Sequence, residues 1–304
     1  MRINTSLRPN LPKEVMSGLA LVSRKLSGFS ARDFVDAELF APSAHLLKNP
    51  GKLIRPALVM LGAHVIGEDP LGYVDLAVAV ELLHVSSLIH DDLIDGDRVR
   101  RGMDSVHAKY GSNAAILAGD ALIAKSVGLS ARFGREVMEY VSQTAMDMCA
   151  GELLGEKFER ANDSPDLKTY LRIATLKSGS LLGASCSVVA KRRKMPIWRK
   201  LRKFGTDAGI AFQVRDDVLE CAEGIEPIPK SNIVATLMDH ATDHTRETAL
   251  KKASGLNEYY VNSAKKALGE SVAAGVLCPY ADFIRVSVEQ GRTGRLLRAY
   301  ASRH

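Results

Sequence analysis

Helical periodicity of the apolar residues is the feature that most restricts what this 304-residue chain can fold into. The segment VDLAVAVELLHVSSLIHDDLID, residues 74–95, places apolar side chains three and four positions apart, which is typical of a helix with a buried face. Four more segments follow the same rule: AAILAGDALIAKSVGLSARF, REVMEYVSQTAMDMCAGELLGEKFE, YLRIATLKSGSLLGASCSVVA and LRKFGTDAGIAFQVRDDVLE. No recurrent alternating strand pattern accompanies them. The sequence therefore predicts an all-α fold.

Several of these helices are apolar around much of their circumference, which indicates a central buried layer surrounded by other helices. The breaks between the segments, such as KNPGK at 48–52 and EGIEPIPKSN at 223–232, are too short to be domain linkers. We therefore expect one domain, a helical bundle over residues 1–304. Ser164, Pro165 and Asp166 predict a helix start, with Ser164 as the N-cap and Pro165 in the first turn.

The composition is that of an ordinary soluble protein, with 46% hydrophobic and 25% charged residues. The net charge of +6 is spread along the chain, which suits anionic small molecules and does not indicate nucleic acid. The four cysteines are far apart, so we expect a reduced, cytoplasmic protein without a structural zinc site. The N-terminal residues do not resemble a signal peptide, and no uninterrupted apolar run reaches about 18 residues, so we expect no transmembrane span.

Three aspartates lie close together where the apolar segment 74–95 ends. Asp91 and Asp95 are four residues apart and point to the same side of a helix, while Asp92 flanks them. A solvated helix end is the ordinary interpretation of such a cluster. Negative charge near a helix C-terminus opposes the helix dipole, however, which makes simple solvation a weak reason for it. Three carboxylates here form a hard-oxygen face suited to Mg²⁺.

A second acidic cluster repeats this spacing in the segment FQVRDDVLE. Asp216, Asp217 and Glu220 stand at positions i, i+1 and i+4, again after an apolar helical run. We expect the two clusters to face one another across a cavity, because magnesium bound to a diphosphate needs oxygen ligands and open positions.

Cationic side chains accompany the acids. GKLIRP contains Lys52 and Arg55, and DRVRRG contains Arg98, Arg100 and Arg101. Arginine binds phosphate oxygens in two places, and lysine adds a point charge. Either group alone would ordinarily be a solvated surface. Next to the aspartate clusters, these cations indicate a polyanionic ligand bound between the metal and the arginines.

These motifs together resemble the trans-prenyltransferases, the polyprenyl diphosphate synthases. The resemblance covers residues from about Lys52 to Glu220 and consists of GKLIRP, LLHVSSLIHDDLIDGDRVRRG, SVHAKYGSNAAILAGDAL, LKSG and GIAFQVRDDVLE, in that order. It implies a helical bundle of the isoprenoid synthase type around a deep central cavity, usually as a homodimer. It also implies Mg²⁺-assisted head-to-tail condensation of isopentenyl diphosphate with an allylic diphosphate, in which the released diphosphate takes the final proton.

The resemblance also assigns roles to individual residues by position. Magnesium ions holding the allylic diphosphate would be bound by Asp91, Asp92, Asp95, Asp216 and Asp217. Contacts to the same substrate fall to Arg100, Lys177 and Gln213. The isopentenyl diphosphate would be held by Lys52, Arg55, His84 and Arg101.

The chain departs from the family pattern at and after the second cluster. Glu220 replaces the usual aspartate, a mild change because a longer carboxylate still reaches a metal or its water. The family's glycine- and lysine-containing loop is replaced by EGIEPIPKSNIVATLMDHATDH, in which Lys230 retains one expected phosphate contact. We expect this departure to affect closure of the loop over the diphosphate, and hence the turnover rate.

Product length is expected to depend on the helix that precedes the first cluster. Ser87 lies one turn below Asp91, with Ser86 beside it, and the family uses bulky aromatic residues here to stop growth at about fifteen carbons. Small serines would let a longer chain pass. Val80 and Leu83, further down the same face, would then form a partial floor. One turn rises about 5.4 Å, near the length of an isoprene unit, which predicts a product of roughly twenty to thirty carbons (C20–C30).

Two other functions fit part of the pattern. A class I terpene cyclase also ionises diphosphates with aspartate-bound magnesium, but it needs no residues for a second diphosphate. A weakly active regulatory subunit of a heteromeric synthase would explain the altered loop but not two intact acidic clusters. The stretch KRRKMPIWRKLRK at 191–203 contains eight basic residues around Trp198. Pro196 interrupts a helix there, so we expect an exposed connector and at most a peripheral contact with anionic lipid.

Overall fold

Helices form nearly all of the regular structure in the computed structural model, which describes residues 11–222, 227–240 and 245–285. The α-helices are α1 (Lys13–Ser27), α2 (Ala37–Ser43), α3 (Ile54–Val65), α4 (Val74–Asp95), α5 (Val106–Tyr110), α6 (Ser112–Ala131), α7 (Arg135–Ala161), α8 (Leu167–Ala174), α9 (Ser180–Arg192), α10 (Trp198–Ala222), α11 (Ile233–Asp239), α12 (Arg246–Leu268) and α13 (Val272–Phe283). Short 3₁₀ turns span Ala31–Phe34, Leu46–Lys48 and Pro70–Tyr73, and a π-helical turn spans Thr175–Gly179. The prediction of an all-α fold is confirmed.

The described residues fall into two compact units. The first belongs to the ranges 1–145 and 185–198, and the second to the ranges 146–184 and 199–304. The single domain expected over the whole chain stays a prediction, because a compact unit is not by itself an independently folding domain.

The core of the first unit is built around α4. From Leu76 to Leu83 the apolar side chains of this helix are at most 3% exposed. The helix packs against α1, α3 and α6. A helix buried on nearly all sides is what the apolar circumference of residues 74–95 predicted.

A small hairpin follows α4 and was not predicted from the sequence. Strand β1 (Val99–Arg100) pairs antiparallel with β2 (Met103–Asp104), and Arg101 and Gly102 form the turn with φ values of 53° and 73°. Positive φ at both central residues is the feature of a type I′ turn, which matches the twist of a two-residue hairpin. The turn places Arg100 on a strand and Arg101 at the tip.

The second unit has its own core, where α8 and α10 meet α11 and α12. Tyr170, Val214, Ile233 and Ala253 are among the buried residues that make it. Tyr170 lies on α8, and Val214 lies on α10, the helix that also contains the second acidic cluster. Packing between these two helices therefore fixes the position of the cluster.

The predicted start of α8 is wrong by two residues. Asp166, rather than Ser164, is the N-cap, and its carboxylate accepts a hydrogen bond from the Thr169 N–H at 2.7 Å. Ser164 is buried, and its hydroxyl donates to Asp239 at 2.7 Å. Aspartate caps a helix as well as serine does, so the three-residue pattern alone did not distinguish the two.

Three helical stretches have the length and apolar composition of a membrane span: Pro70–Asp95, Ser112–Ala131 and Leu167–Arg192. Polar residues interrupt the apolar runs of all three stretches, so no uninterrupted run in the sequence predicted them. The first and third are 72% buried inside the protein, as core helices are, whereas the second is 39% buried. The part of the chain that the structure describes therefore leaves the apolar surface of α6 largely uncovered.

Candidate active site

The first aspartate cluster occupies the last two turns of α4. Asp92 is buried, and its Oδ1 accepts a hydrogen bond from the Arg100 Nε at 2.6 Å. Its Oδ2 is also buried and has no hydrogen-bond partner among the residues that the structure describes. Burial raises the pKa of Asp92 above its usual value, although Arg100 opposes the rise. A buried carboxylate oxygen without a donor is a site where a nearby cation stabilises the protein.

The carboxylates do not form a complete metal site by themselves. Among the described residues, no group of three or more His, Cys, Asp or Glu side chains is close enough to hold a metal ion. Magnesium is usually bound through one or two carboxylates together with water and substrate phosphate, rather than by an all-protein cage. Half-buried Asp91 and exposed Asp95 supply such carboxylates on one face of α4, so the cluster fits magnesium held jointly with a diphosphate.

Arg101 contacts the loop that contains Lys52. Its Nη1 donates to the Asn49 carbonyl oxygen at 2.6 Å, and a Cβ added at Gly51 would lie 3.0 Å from its Cζ. The loop itself is unusual, because Gly51 and Leu53 both have positive φ, at 67° and 52°. A non-glycine residue in this region costs energy, and such residues gather at functional sites. The structure thus places Arg101 against the loop that contains Lys52.

A buried acid, Glu81, lies beside two of the predicted isopentenyl-site arginines and was missed in the sequence. It is 2% exposed, and burial raises its pKa to about 7 against the attraction of Arg55 and Arg101. The only sequence signal for it was an acidic residue inside the apolar run of α4. Glu81 therefore supplies a negative charge, or a proton, next to the cations that are expected to bind diphosphate.

His84 lies one turn after Glu81 on α4. Burial, followed by the positive charges of Arg55 and Arg101, lowers the pKa of His84 well below its usual value. The imidazole is therefore neutral near pH 7, with one N–H donor and one acceptor nitrogen. Neutral histidine can donate to a phosphate oxygen without repelling the neighbouring arginines.

The second acidic cluster contains one fully buried carboxylate, that of Asp217. Asp217 is buried, and its Oδ2 accepts hydrogen bonds from the Tyr170 hydroxyl at 2.8 Å and the Ile233 N–H at 2.9 Å. Its Oδ1 accepts from the Gln213 amide at 2.9 Å. Burial raises the pKa of Asp217, and these three donors oppose the rise. Asp217 has a clear structural role, so its role as a magnesium ligand stays a prediction.

The loop after α10 is attached to this same cluster through Asn232. The Asn232 amide donates to Glu220 Oε2 at 3.1 Å and to the Asp217 carbonyl oxygen at 3.2 Å. Its Oδ1 caps α11 by accepting from the Val234 N–H at 2.8 Å. Asp216 stands in sequence between two buried residues of α10, Arg215 and Asp217, and is itself half-buried. The sequence analysis did not identify Asn232, whose role depends on contacts made after the chain turns back.

Lys177 belongs to the π-helical turn, and Gln213 of α10 contacts the same turn. The Lys177 Nζ is 2.6 Å from Glu152 Oε2 on α7. The neighbouring Ser178 hydroxyl donates to Gln213 Oε1 at 2.7 Å. Because Gln213 also donates to Asp217, hydrogen bonds connect the turn at Ser178 to the second acidic cluster.

Lys230 is bound within the altered loop. Its backbone N–H donates to Glu159 at 3.0 Å, and Ser231 donates to the same carboxylate through both its N–H and its hydroxyl. The Lys230 ammonium is 3.6 Å from Asp239. Residues 223–226 of this loop lie outside the described residues. The substrate contact expected of Lys230 stays a prediction, and the structure gives its side chain an intramolecular partner.

The four expected chain-length positions lie on one unbroken helix, α4. Val80, Leu83 and Ser86 are buried, and the Ser87 hydroxyl donates to the His84 carbonyl oxygen at 2.9 Å. The small side chain of Ser87 thus has its hydrogen-bond partner within α4. Their helical register is confirmed, and their influence on product length stays a prediction.

The two groups of residues lie in different units. The first unit contains the cluster of α4 with Arg100, and also Lys52, Arg55, Glu81, His84 and Arg101. The second contains the cluster of α10 with Lys177, Gln213 and Lys230. Each group of residues therefore belongs to one unit. The expectation that the two acidic clusters face one another stays a prediction.

Comparison with known proteins identifies the family of this chain. Residues 36–253 match the family model of polyprenyl synthetase. A geranylfarnesyl diphosphate synthase from Methanosarcina mazei is 32% identical over 251 residues, which cover 80% of this chain and 84% of the relative. A heptaprenyl diphosphate synthase component 2 from Geobacillus stearothermophilus is 37% identical over 179 residues, which cover 58% of this chain and 56% of the relative.

Solved structures show the same fold. A geranylgeranyl pyrophosphate synthetase from the archaeon Geoglobus acetivorans superposes with a TM-score of 0.75 at 27% identity, over 90% of this chain and 99% of that one. This likeness confirms the predicted fold class. The chain therefore belongs to the polyprenyl synthetase family, as the resemblance to trans-prenyltransferases predicted, and it is a prenyl diphosphate synthase.

Proposed function

We propose that this chain condenses isopentenyl diphosphate with an allylic diphosphate and thereby extends the allylic chain. The observation that carries the proposal is a second set of cations in addition to the Asp92–Arg100 pair. Arg55 and Arg101 both act electrostatically on buried Glu81, and Arg101 also contacts the loop of Lys52. Chain elongation needs a site for a second diphosphate, whereas a terpene cyclase does not.

The proposed roles follow from where the side chains lie. Asp91 and Asp95 on α4, and Asp216 on α10, would hold Mg²⁺ together with the allylic diphosphate. Bound magnesium would neutralise charge on the diphosphate as the carbon–oxygen bond breaks. The unpartnered Oδ2 of Asp92 and the donor set of oxygens support this fit. Arg100, held by Asp92, would add a guanidinium to the same phosphate oxygens.

The isopentenyl diphosphate would bind to Lys52, Arg55, His84 and Arg101. Three cations and a neutral histidine suit a dianionic or trianionic head group, and holding it fixes the nucleophilic double bond near the ionised allylic carbon. We propose no protein side chain as general base, because the released diphosphate is itself a base and would take the final proton.

We infer a product of roughly twenty to thirty carbons, on the physical ground that Ser86 and Ser87 are small and that the next residues down the helix are Leu83 and Val80. The name of the Methanosarcina mazei relative, a geranylfarnesyl diphosphate synthase, supports a product in this range.

Association is proposed as a homodimer. The largely uncovered helix α6 exposes Ile116 and Leu117, at 46% and 58%, and α7 exposes Met146 and Leu153, at 58% and 70%. Exposed large apolar side chains at helical spacing mark protein interfaces. The second candidate is a heteromer, favoured by the likeness to heptaprenyl diphosphate synthase component 2. We further propose a cytoplasmic location, no nucleic-acid partner, and at most peripheral membrane contact through the basic residues of 191–203.

One assay tests the function. Purified protein is incubated with Mg²⁺, isopentenyl diphosphate and allylic primers of increasing length, and the extracted lipids are separated by chromatography. Elongated prenols of twenty to thirty carbons are expected. Cyclic hydrocarbons from the primer alone would support a terpene cyclase, and an absence of product until a second protein is added would support a regulatory subunit. Light scattering during gel filtration measures the oligomeric state of the same sample.

A further inference from the structure

The π-helical turn Thr175–Gly179 is enclosed by glycines from two other helices. A Cβ added at Gly151 of α7 would lie 2.5 Å from the Lys177 backbone nitrogen. One added at Gly209 of α10 would lie 2.6 Å from the Gly179 Cα. Both distances are too short for any residue other than glycine without a shift of backbone. The wide turn thus has close backbone neighbours on two sides, and π-helical turns are frequent at functional sites.

The residue that follows Gly151 makes an ion pair with the lysine of this turn. Glu152 Oε2 lies 2.6 Å from Lys177 Nζ, and the two side chains are 19% and 33% exposed. The next acid on the same helix, Glu156, pairs with Arg160, whose side chain is 74% exposed. The pair of Glu152 is therefore the more sheltered of the two, so solvent weakens it less.

We propose that Glu152 is a positioning residue that holds the Lys177 ammonium ready for the diphosphate of the allylic substrate. The proposal rests on the proposed function, in which Lys177 contacts that diphosphate. A lysine side chain has four rotatable carbons and loses rotamer entropy when it is fixed. Glu152 and the close packing at Gly151 fix it before substrate arrives. An ammonium group has three donors, so its bond to Glu152 leaves it able to donate to phosphate.

The direction in which substrate affinity changes distinguishes a positioning role of Glu152 from simple repulsion between its charge and the diphosphate. A carboxylate close to a diphosphate repels it, so removal of the Glu152 charge alone should strengthen substrate binding. If Glu152 holds Lys177 in place, its removal should weaken binding instead, because the ammonium then has to be ordered when substrate binds. The two effects predict opposite changes in the KM of the allylic substrate.

The experiment compares Glu152→Gln with a matched control, Glu156→Gln, which lies one helical turn away and removes an exposed pair. Steady-state kinetics are measured with Mg²⁺ while each substrate is varied in turn. Glu152→Gln should raise the KM of the allylic diphosphate about tenfold and change the KM of isopentenyl diphosphate less than twofold. Glu156→Gln should leave both unchanged. Glu152→Asp, which keeps the charge on a shorter stem, should give an intermediate KM.

A double-mutant cycle with Lys177→Met tests whether Glu152 acts through that lysine. In the Lys177→Met background, Glu152→Gln should change the allylic KM less than twofold. Calorimetric binding of the allylic diphosphate with Mg²⁺, in the absence of isopentenyl diphosphate, gives the same comparison without turnover. Circular dichroism and the melting temperature establish that each variant is folded.

The outcomes are distinct. A lower allylic KM in Glu152→Gln, or a full tenfold effect of Glu152→Gln on top of Lys177→Met, would overturn the positioning role. An unchanged allylic KM and affinity in Lys177→Met would instead remove Lys177 from the substrate site, and the positioning role with it. If wild-type protein neither binds the allylic diphosphate nor elongates it, the proposed function itself fails.

Discussion

Replacement of Glu81 by glutamine should make the protein more stable at neutral and alkaline pH. Glu81 is buried on α4, and burial raises its pKa from an ordinary 4.5 to about 7. Between these two values the folded chain keeps a proton that the unfolded chain has lost. Because the native state then binds more protons, the free energy of unfolding falls as pH rises from about 4.5 to about 7 and is lowest above that window.

The size of the effect follows from the two pKa values. Their difference of about 2.5 units, at about 1.4 kcal/mol per unit, gives roughly 3 kcal/mol of stability lost between pH 4.5 and pH 8. Arg55 and Arg101 already reduce this cost, since their charges lower the pKa that burial raises. Glutamine has nearly the same shape and does not titrate, so Glu81→Gln removes this part of the pH dependence.

Urea unfolding followed by circular dichroism at pH 5, 6, 7 and 8 measures the difference. The variant should gain stability relative to wild type as pH rises, by roughly 3 kcal/mol across the range. Glu139→Gln, which removes an exposed acid paired with Arg135, serves as the control and should change stability by less than about 1 kcal/mol. A constant difference between Glu81→Gln and wild type at every pH would refute the argument. It would mean that Glu81 is ionised throughout as a partner of the two arginines.

Three further predictions concern the reaction. Asp91→Ala and Asp216→Ala should each lower kcat at least about 100-fold, because each leaves diphosphate charge uncompensated; near-normal turnover in either variant would contradict the metal model. Arg55→Ala should raise the KM of isopentenyl diphosphate about tenfold and that of the allylic primer much less, and equal changes would reassign the residue. Ser87→Phe should shorten the extracted prenols towards about fifteen carbons with the turnover of the first condensation retained, since the ring fills the space one turn below Asp91. An unchanged product would place the floor on another helix.

The sequence predicted the helices well because burial of a helix face leaves a regular trace in the order of residues. The apolar positions of 74–95 indicated both that α4 forms and that it is central, and α4 indeed spans Val74–Asp95. The acidic clusters were visible for the same reason, because residues at i, i+1 and i+4 share a helix side whatever the rest of the chain does.

Features that depend on only a few residues left no such trace. The hairpin after α4 has two residues in each strand, which is too short for alternation to show, and its turn contains Arg101 at positive φ. Leu53, also at positive φ, gave no signal because leucine rarely adopts that conformation. Such residues are held by contacts from elsewhere in the fold, and those contacts are not local in sequence.

The partners of charged residues were the least predictable part of the site. Glu81 acquires its raised pKa from burial, and its neighbours Arg55 and Arg101 come from α3 and from the hairpin. Glu159 receives three hydrogen bonds from Lys230 and Ser231, more than 70 residues later in the chain. Each pairing depends on how helices pack, which periodicity does not specify.

The middle residue of each acidic cluster shows why both clusters begin with two consecutive aspartates. On α4, Asp92 is buried and bound to Arg100, while Asp91 is half-buried. On α10, Asp217 is buried and bound to Tyr170, while Asp216 is half-buried. Consecutive residues on a helix point about 100° apart, so a pair of aspartates necessarily directs one carboxylate inward when the other faces the open side. The inward carboxylate binds the element that must be held near the site: the hairpin of Arg100 in the first unit, and the start of α11 at Ile233 in the second. We expect the other carboxylate of each pair, Asp91 or Asp216, to bind the cation, so that two adjacent aspartates would combine structural attachment and metal binding at one point of the helix.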